Sequence, residues 1–452
     1  MGKYDLTTGP ILGRITRLSL PIMATGFIQM SYHLLDMFWL GRGATEWVAA
    51  AGMAGYVLWI ANALALIPRI GTEIGVGQAT GARDCKTLGR WIAAGLFLVG
   101  LISSVYTLLV LFVSPQIIRF FAIDSQQVNH LGLVYLRIVA FGIPVSFLNS
   151  IATGIFTGSG DSKTPFILNS IGLVTNIVLD PILIFLMGWG VAGAAVATVL
   201  AQTLITVLFF WRIRKGGPGL EKTRLQLRRW AVTKILGRGI PAAAQSMFFA
   251  LVSAYLSRLV GEYGAGPFAA YGVGVQIESI GWLTMMGLSS ALTAFTAQNY
   301  GARRYGRVRG GLQKGTLLGM AVGGFAMLLL VLFADPMMRL FVSDHKEALE
   351  AGILYLVIAG FSQIPMSLDY TATGVFQGTG NTIVPSLGGI IGNALRIPLA
   401  LLLSRTWGLA GIFFAIAATA ALKGFILYPL VWYEFRRKGI VDSLHTAISS
   451  ED

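Results

Sequence analysis

Two aspartates stand inside long apolar stretches of this 452-residue chain, where a charged side chain is costly to bury. Asp36 follows Gln29 and Tyr32 at helical spacing, and Asp180 follows Asn176 by four residues. A helix would therefore set each carboxylate beside other polar side chains. Oxygen ligands of this kind suit a proton or a hard cation such as Na⁺.

Two more polar pairs extend the pattern to neighbouring apolar segments. Asn149 and Thr153 are four residues apart, and so are Thr198 and Gln202. If all these stripes converge, they form a wet chamber that holds two carboxylates and can bind a proton or Na⁺. The alternative is that Asp36 and Asp180 only satisfy backbone groups at helix kinks, since Pro181 directly follows Asp180.

The second half of the chain carries different ionisable groups. Its apolar stretches contain Glu278 and Asp369, and Arg396 could pair with one of them. The alternative is that Arg396 has only a structural role, in which it pairs with other residues of the fold or extends its charged end toward the membrane surface.

The composition requires a membrane to cover these segments. Hydrophobic residues make up 55% of the chain and charged residues 12%, half the usual share of a soluble domain. The apolar residues fall in blocks of roughly 20, the length of a spanning helix. We predict an all-α integral membrane protein with twelve spans, near 17–40, 48–72, 89–113, 132–157, 165–187, 190–211, 233–260, 267–296, 311–333, 350–376, 383–404 and 408–433.

The positive residues behind the net charge of +14 are distributed unevenly between the two sides of the membrane, which indicates the orientation of the chain. With these spans, one side of the membrane receives 24 Lys and Arg and the other side five. Positively charged loops stay in the cytoplasm, so we predict that both termini are cytoplasmic in a plasma (inner) membrane. The basic charge therefore needs no nucleic-acid partner, and membrane lipid is the expected surrounding.

The sequence lacks the residues that metal clusters, membrane enzymes and ATP-driven pumps need. One cysteine, Cys85, and four histidines give no framework for a metal cluster. The sequence has no H-E-x-x-H, no G-x-S-x-G and no Walker lysine motif. We therefore expect neither a membrane enzyme nor an ATP-driven pump, and no cofactor beyond a coupling ion.

The chain repeats itself at an offset of 220 residues. Leu20-Pro21 matches Ile240-Pro241, and the run 153–165 (TGIFTGSGDSKTP) matches 373–385 (TGVFQGTGNTIVP). Each half holds six spans, so the two lobes should be related by a pseudo-two-fold axis along the membrane normal. The predicted domains are an N-lobe over 1–211, a linker over 212–232, a C-lobe over 233–435 and a tail over 436–452.

The residues resemble the multidrug and toxin extrusion (MATE) transporters along nearly the whole chain. The run 176–202 (NIVLDPILIFLMGWGVAGAAVATVLAQ) looks like helices 5 and 6 of that family, and Pro21, Asp36 and Gly41 resemble its first helix. The resemblance implies a V-shaped chamber between two lobes, in a protein that expels small organic, often cationic, compounds while H⁺ or Na⁺ enters. We expect a monomer.

The resemblance also implies a site. The family's N-lobe cation site matches Asp36, Asn176, Asp180 and Thr198. We expect the cargo to contact polar groups of the same chamber and of the second half, namely Gln29, Tyr32, Asn149, Thr153, Gln202, Glu278 and Asp369. A lipid-linked sugar or lipid flippase of the same superfamily is the alternative.

One departure separates two branches of the family. The NorM-like branch has a glutamate eight residues after the proline of helix 7, and Phe249 stands there in this chain. The NorM-type aspartate of helix 10 would fall near Met366, one turn before Asp369. The resemblance therefore favours the DinF-like branch, with coupling centred in the N-lobe.

Overall fold

Long α-helices make up almost all of the chain in a computed structural model that describes residues 5–121, 124–215, 224–342 and 345–437. Within these ranges twelve helices are long and apolar enough to cross a membrane, which confirms the predicted fold class. They are α1 Ile11–Gly43, α2 Thr45–Gly81, α3 Cys85–Phe120, α4 Gln126–Gly158, α5 Lys163–Pro181, α6 Gly190–Arg214, α7 Arg229–Gly261, α8 Ala265–Gly301, α9 Tyr305–Leu332, α10 Lys346–Gly378, α11 Ile383–Trp407 and α12 Leu409–Arg437. A short helix, Ala334–Arg339, lies between α9 and α10.

Some helices run well beyond the apolar spans predicted from hydropathy. The second span was predicted to end at residue 72, whereas α2 continues to Gly81. The next helix begins at once, because the Asp84 carboxylate accepts hydrogen bonds from the backbone amides of Lys86 and Thr87, both at 3.0 Å. The Thr87 hydroxyl also donates to Asp84, and these hydrogen bonds lower the pKa of this exposed carboxyl group.

The chain divides into two compact units. The start of α1 belongs to the second unit, and the start of α7 belongs to the first. The first unit comprises Met1–Asp5 and Ala24–Ala243, and the second comprises Leu6–Met23 and Ala244–Asp452. The lobes predicted from the sequence follow chain order, whereas α1 and α7 each change unit two residues after a proline, Pro21 and Pro241. Residues 216–223 of the predicted linker and 438–452 of the predicted tail lie outside the described residues.

The first unit is built around α2 and α4, and the start of α7 packs into its core. Ala231 and Ile235 of α7 are fully buried there. Two glycines let the α2 and α7 backbones touch. A Cβ at Gly239 would lie 2.1 Å from the carbonyl oxygen of Ile67, and one at Gly71 would lie 2.7 Å from the Cα of Ile235.

The second unit is built around α8 and α10, and it holds the start of α1. Ile15 and Leu18 of α1 join its core with residues of α8 such as Leu292. Polar contacts fix the segment before α1. The Leu6 amide donates to Gln298 Oε1 at 3.0 Å, and the Arg304 guanidinium donates to the carbonyl of Thr7 at 2.7 Å.

The repeat is interrupted at one place, next to Asp180. Gly172 and Gly392 keep the offset of 220, whereas Trp189-Gly190 and Trp407-Gly408 are 218 residues apart. The first half therefore contains two extra residues after α5. The chain there forms a π-helical turn, Ile182–Leu186, and the Met187 amide donates to the carbonyl of Ile182, five residues back. Such insertions into a helix often mark functional sites.

The α2–α7 contact makes a prediction about stability. We expect Gly239→Ala to lower the free energy of unfolding by about 1–3 kcal/mol, because its Cβ would press on the Ile67 backbone, which cannot rotate away. The measurement is the thermal unfolding midpoint of the detergent-solubilised protein.

Gly237 gives the matched control on the same helix, since a Cβ there would meet nothing within 4 Å. Gly237→Ala should leave the midpoint unchanged or raise it, because alanine favours a helix by about 1 kcal/mol over glycine. Equal effects of the two substitutions would contradict the proposed backbone contact.

Candidate functional site

Two carboxyl groups meet inside the first unit. Asp36 on α1 is 7% exposed and Asp180 at the end of α5 is fully buried. Their side chains lie within hydrogen-bonding range of each other. Bringing two carboxylates this close is costly unless a proton or a cation lies between them, because like charges repel strongly in a medium that screens them little.

An amide and a hydroxyl complete this pair. Asn176 Nδ2 donates to Asp180 Oδ1 at 3.1 Å, as the four-residue spacing on α5 predicts. Thr198 Oγ1 of α6 donates to Asp36 Oδ2 at 3.2 Å and ties α6 to α1. The structure therefore brings together the four residues of the predicted cation site, all within one compact unit.

Buried oxygen atoms around the pair are left without protein partners. Among the described residues, Asp180 Oδ2, Asn176 Oδ1 and the Tyr32 hydroxyl are buried with no hydrogen-bond partner. Tyr32 lies close enough to interact electrostatically with both aspartates. Carboxylate, amide and phenol oxygens of this kind are ligands that a proton or a hard cation prefers.

Sequence reasoning missed one aromatic neighbour of this site. Tyr135 of α4 is 5% exposed and interacts electrostatically with Asp36 and Asp180. A tyrosine inside an apolar span carries no sequence signal that separates it from packing residues. The one available signal was the recurrence of a tyrosine, Tyr355, at the matching position of the second half, where the structure shows that it also meets a carboxylate.

Most of the other predicted residues of the first unit take part in hydrogen bonds around Asn149, and Gln29 does not. Asn149 Nδ2 donates to the side-chain oxygen of Gln202 at 2.7 Å and to its carbonyl at 2.9 Å, and Thr206 donates to Asn149 Oδ1 at 2.7 Å. The Thr153 hydroxyl bonds to the carbonyl of Asn149 on its own helix. Gln29 is exposed on α1.

The two predicted acids of the second unit each have a partner. Tyr355 of α10 donates its hydroxyl to Glu278 of α8. Asp369 of α10 pairs with Lys423 of α12 at 3.5 Å. Lys423 was not predicted as a site residue, although a lysine at the middle of an apolar helix is itself an unusual feature.

Arg396 bonds to a hydroxyl group in the second unit. Its Nε donates to the Thr419 hydroxyl at 2.9 Å, and within the described residues no carboxylate oxygen lies within 4.0 Å of its guanidinium. Glu278 still influences it electrostatically from farther away. Direct pairing with Glu278 or Asp369, which the sequence left open, is therefore not seen among the described residues.

Comparison with known proteins agrees with this architecture. The MatE family model matches residues 21–182 and again residues 241–402, two segments that are themselves offset by 220 residues. This chain belongs to the MATE family. Multidrug efflux is the activity of that family, and its members are transporters, which excludes the membrane-enzyme alternative.

Individual relatives of this MATE transporter are distant but cover about nine tenths of it or more. The probable multidrug resistance protein NorM of Thermotoga maritima is 25% identical over 412 residues, covering 89% of this chain and 88% of the relative. The probable multidrug resistance protein YoeA of Bacillus subtilis is 26% identical and covers 93% of each chain. A crystal structure of MATE in the bent conformation superposes with a TM-score of 0.90 at 22% identity, covering 97% of this chain and 98% of that one.

The Asn149 network generates a prediction about the α4–α6 contact. We expect Asn149→Ala to lower the free energy of unfolding by about 1–2 kcal/mol, because it removes the hydrogen bonds that join α4 to Gln202 and Thr206 of α6. Thermal unfolding in detergent measures the change.

Thr175→Val serves as the comparison variant, since Thr175 is half-buried and its hydroxyl donates, in an exposed hydrogen bond, to the Ile171 carbonyl of its own helix. This variant should stay within about 0.5 kcal/mol of the unaltered protein. If Asn149→Ala behaves in the same way, the network does not join α4 to α6 in solution.

Proposed function

We propose that this MATE transporter is an antiporter that exports small organic, often cationic, compounds in exchange for H⁺ or Na⁺. The observation that carries the proposal is the contact between the buried carboxyl groups of Asp36 and Asp180. A buried pair of this kind is costly unless it holds a proton or a cation, so its occupancy can be linked to transport.

Each site residue has a role in this mechanism. Asp36 and Asp180 take up H⁺ or Na⁺, while Asn176 and Thr198 orient the two carboxyl groups through the hydrogen bonds described above. Polar groups nearby contact the cargo, namely Gln29, Tyr32, Asn149, Thr153 and Gln202. In the second unit Glu278 and Asp369 attract cationic cargo.

The same proposal assigns a branch, a topology and an assembly. Phe249 replaces the helix-7 glutamate of the NorM-like branch, which supports the DinF-like branch. The Lys and Arg distribution supports cytoplasmic termini in a plasma membrane. We propose a monomer with lobes over 1–211 and 233–435 that expose the site to either side in turn. Two relatives named as probable multidrug resistance proteins support organic cargo.

A flippase for lipid-linked sugars or lipids is the competing function within the same superfamily. Flippases of that kind often carry additional spans, whereas the described residues contain twelve. Accumulation of a lipid-linked precursor in cells that lack the gene would favour the flippase over the exporter.

The central test is transport by protein reconstituted into vesicles, with pH and Na⁺ gradients imposed separately. Asp36→Asn and Asp180→Asn should each abolish gradient-driven ethidium efflux, because neither amide can bind the coupling ion as a carboxylate does. The gradient that drives the unaltered protein identifies the ion.

The matched control is an acid-to-amide change at an exposed position. Asp335→Asn removes only the surface ion pair with Arg339 and should leave efflux unchanged. Gradient-driven efflux that survives in a folded Asp36→Asn protein would contradict coupling at this site.

A milder change tests the orienting role of Thr198. Thr198→Val removes a hydrogen bond of 3.2 Å to Asp36 and should weaken the apparent affinity for the coupling ion by about fivefold, the equivalent of roughly 1 kcal/mol. The ion concentration that gives half-maximal efflux measures it. Thr203→Val, an exposed hydroxyl on the same helix, should change nothing, and an equal shift in both variants would rule out this role for Thr198.

A further inference from the structure

The repeat relates the coupling site of the first unit to a different set of residues in the second. At the offset of 220, the mate of Asp36 is Leu256 and the mate of Asp180 is Ala400. The mate of Asn176 is Arg396. The second unit therefore lacks both carboxylates of the pair and has a permanently charged cation where the first unit has a neutral amide.

Arg396 is buried at the middle of its span without a charge partner in contact. It lies halfway along α11 and is 7% exposed. The guanidinium has five N–H donors, and only Nε has an acceptor among the described residues, the Thr419 hydroxyl. The ring of Phe249 lies 5.8 Å from the guanidinium carbon. A charge in such surroundings is costly unless a counter-ion reaches it.

A second cation, Lys423, lies close by, and a glycine of α11 leaves space for its side chain. Lys423, at the middle of α12, interacts electrostatically with Arg396. Its side chain runs over Gly392 of α11, where a Cβ would lie 2.4 Å from Lys423 Cγ. A Cβ at the next residue, Gly424, would lie 2.0 Å from the carbonyl oxygen of Pro365, so α12 approaches α10 closely at this level.

The acids of the cluster pair only in part with its two cations. Glu278 is occupied by the Tyr355 hydroxyl and stays more than 4.0 Å from Arg396. The Lys423–Asp369 distance of 3.5 Å exceeds the roughly 2.7–2.9 Å of a charge-assisted hydrogen bond. Both side chains remain about one sixth exposed, at 15% and 18%. A ligand can therefore reach Lys423 and compete with Asp369 for it.

We propose that Arg396 and Lys423 form a cationic subsite of the second unit that binds a carboxylate or phosphate group of the transported compound. Their position at mid-span, about 15 Å from either headgroup layer, favours cargo over a lipid headgroup as the source of that group. The inference rests on the proposed export function and specifies its cargo, which then includes organic anions and zwitterions as well as cations.

The experiment compares two cargoes in vesicles that contain the full chain. Ethidium represents organic cations and carboxyfluorescein represents organic anions. Arg396→Gln and Lys423→Gln should each reduce carboxyfluorescein transport about tenfold, the usual loss for a hydrogen bond to a charged group, without reducing ethidium transport. Fluorescence anisotropy of carboxyfluorescein with the solubilised protein should show the same loss of binding.

Gly392→Ala tests the subsite without removing a charge, because its Cβ would displace the Lys423 side chain, and it should also weaken carboxyfluorescein binding. It keeps the proposal testable if Arg396→Gln does not fold. Arg405→Gln is the control, since Arg405 is an exposed arginine at the end of the same helix, and it should affect neither cargo.

The outcomes separate the two proposals. If the unaltered protein carries ethidium but neither carries nor binds carboxyfluorescein, the subsite is wrong and the export function stands. If Arg396→Gln, Lys423→Gln and Gly392→Ala leave carboxyfluorescein unaffected, or reduce both cargoes equally, the subsite is also wrong. If the protein moves neither cargo under any gradient, the proposed export function itself fails.

Discussion

The cost of placing a charge in the middle of a bilayer constrains this structure more than any other interaction. The helices can be almost entirely apolar, but each ionisable group at mid-span requires a partner or a ligand. In the first unit the response is contact between Asp36 and Asp180, supported by Asn176. In the second unit opposite charges are only partly paired. Lys423 forms an ion pair with Asp369, and Arg396 donates a hydrogen bond to the Thr419 hydroxyl.

Small residues make both arrangements possible. A side chain at Gly172 would collide with the Tyr32 hydroxyl, 2.5 Å from the added Cβ, so this glycine leaves the space beside the aspartates. Gly392, its repeat mate, provides the same space for Lys423. The scaffold thus keeps a gap at equivalent positions of the two halves, and each half fills it with a different polar side chain.

The sequence predicted the parts of this structure that depend on local pattern. Twelve spans follow from apolar length, and the Asn176–Asp180 contact follows from a spacing of four on one helix. Contacts between helices were predictable only where charge burial demanded them, as for Asp36 with Asp180. Lys423 was missed although a lysine inside an apolar span is itself a signal, and its pairing with Asp369 depends on how closely α12 approaches α10, which no local pattern encodes. The sequence also did not predict that the start of α1 belongs to the second unit and the start of α7 to the first. Apolar helix faces have the same sequence pattern whichever core they pack into.

The interruption of the repeat and the divergence of the two sites occur at the same place. The first half has two extra residues after α5, the π-helical turn Ile182–Leu186 and a buried aspartate directly before it. The second half has neither the insertion nor the acid, because Ala400 stands at the matching position and α11 continues unbroken to Trp407. Pro181 and the π-helical turn weaken the regular backbone hydrogen bonding next to Asp180, which a site that binds and releases an ion can use. A tethered cation such as Arg396 is never released, and its half of the molecule retains the regular helix.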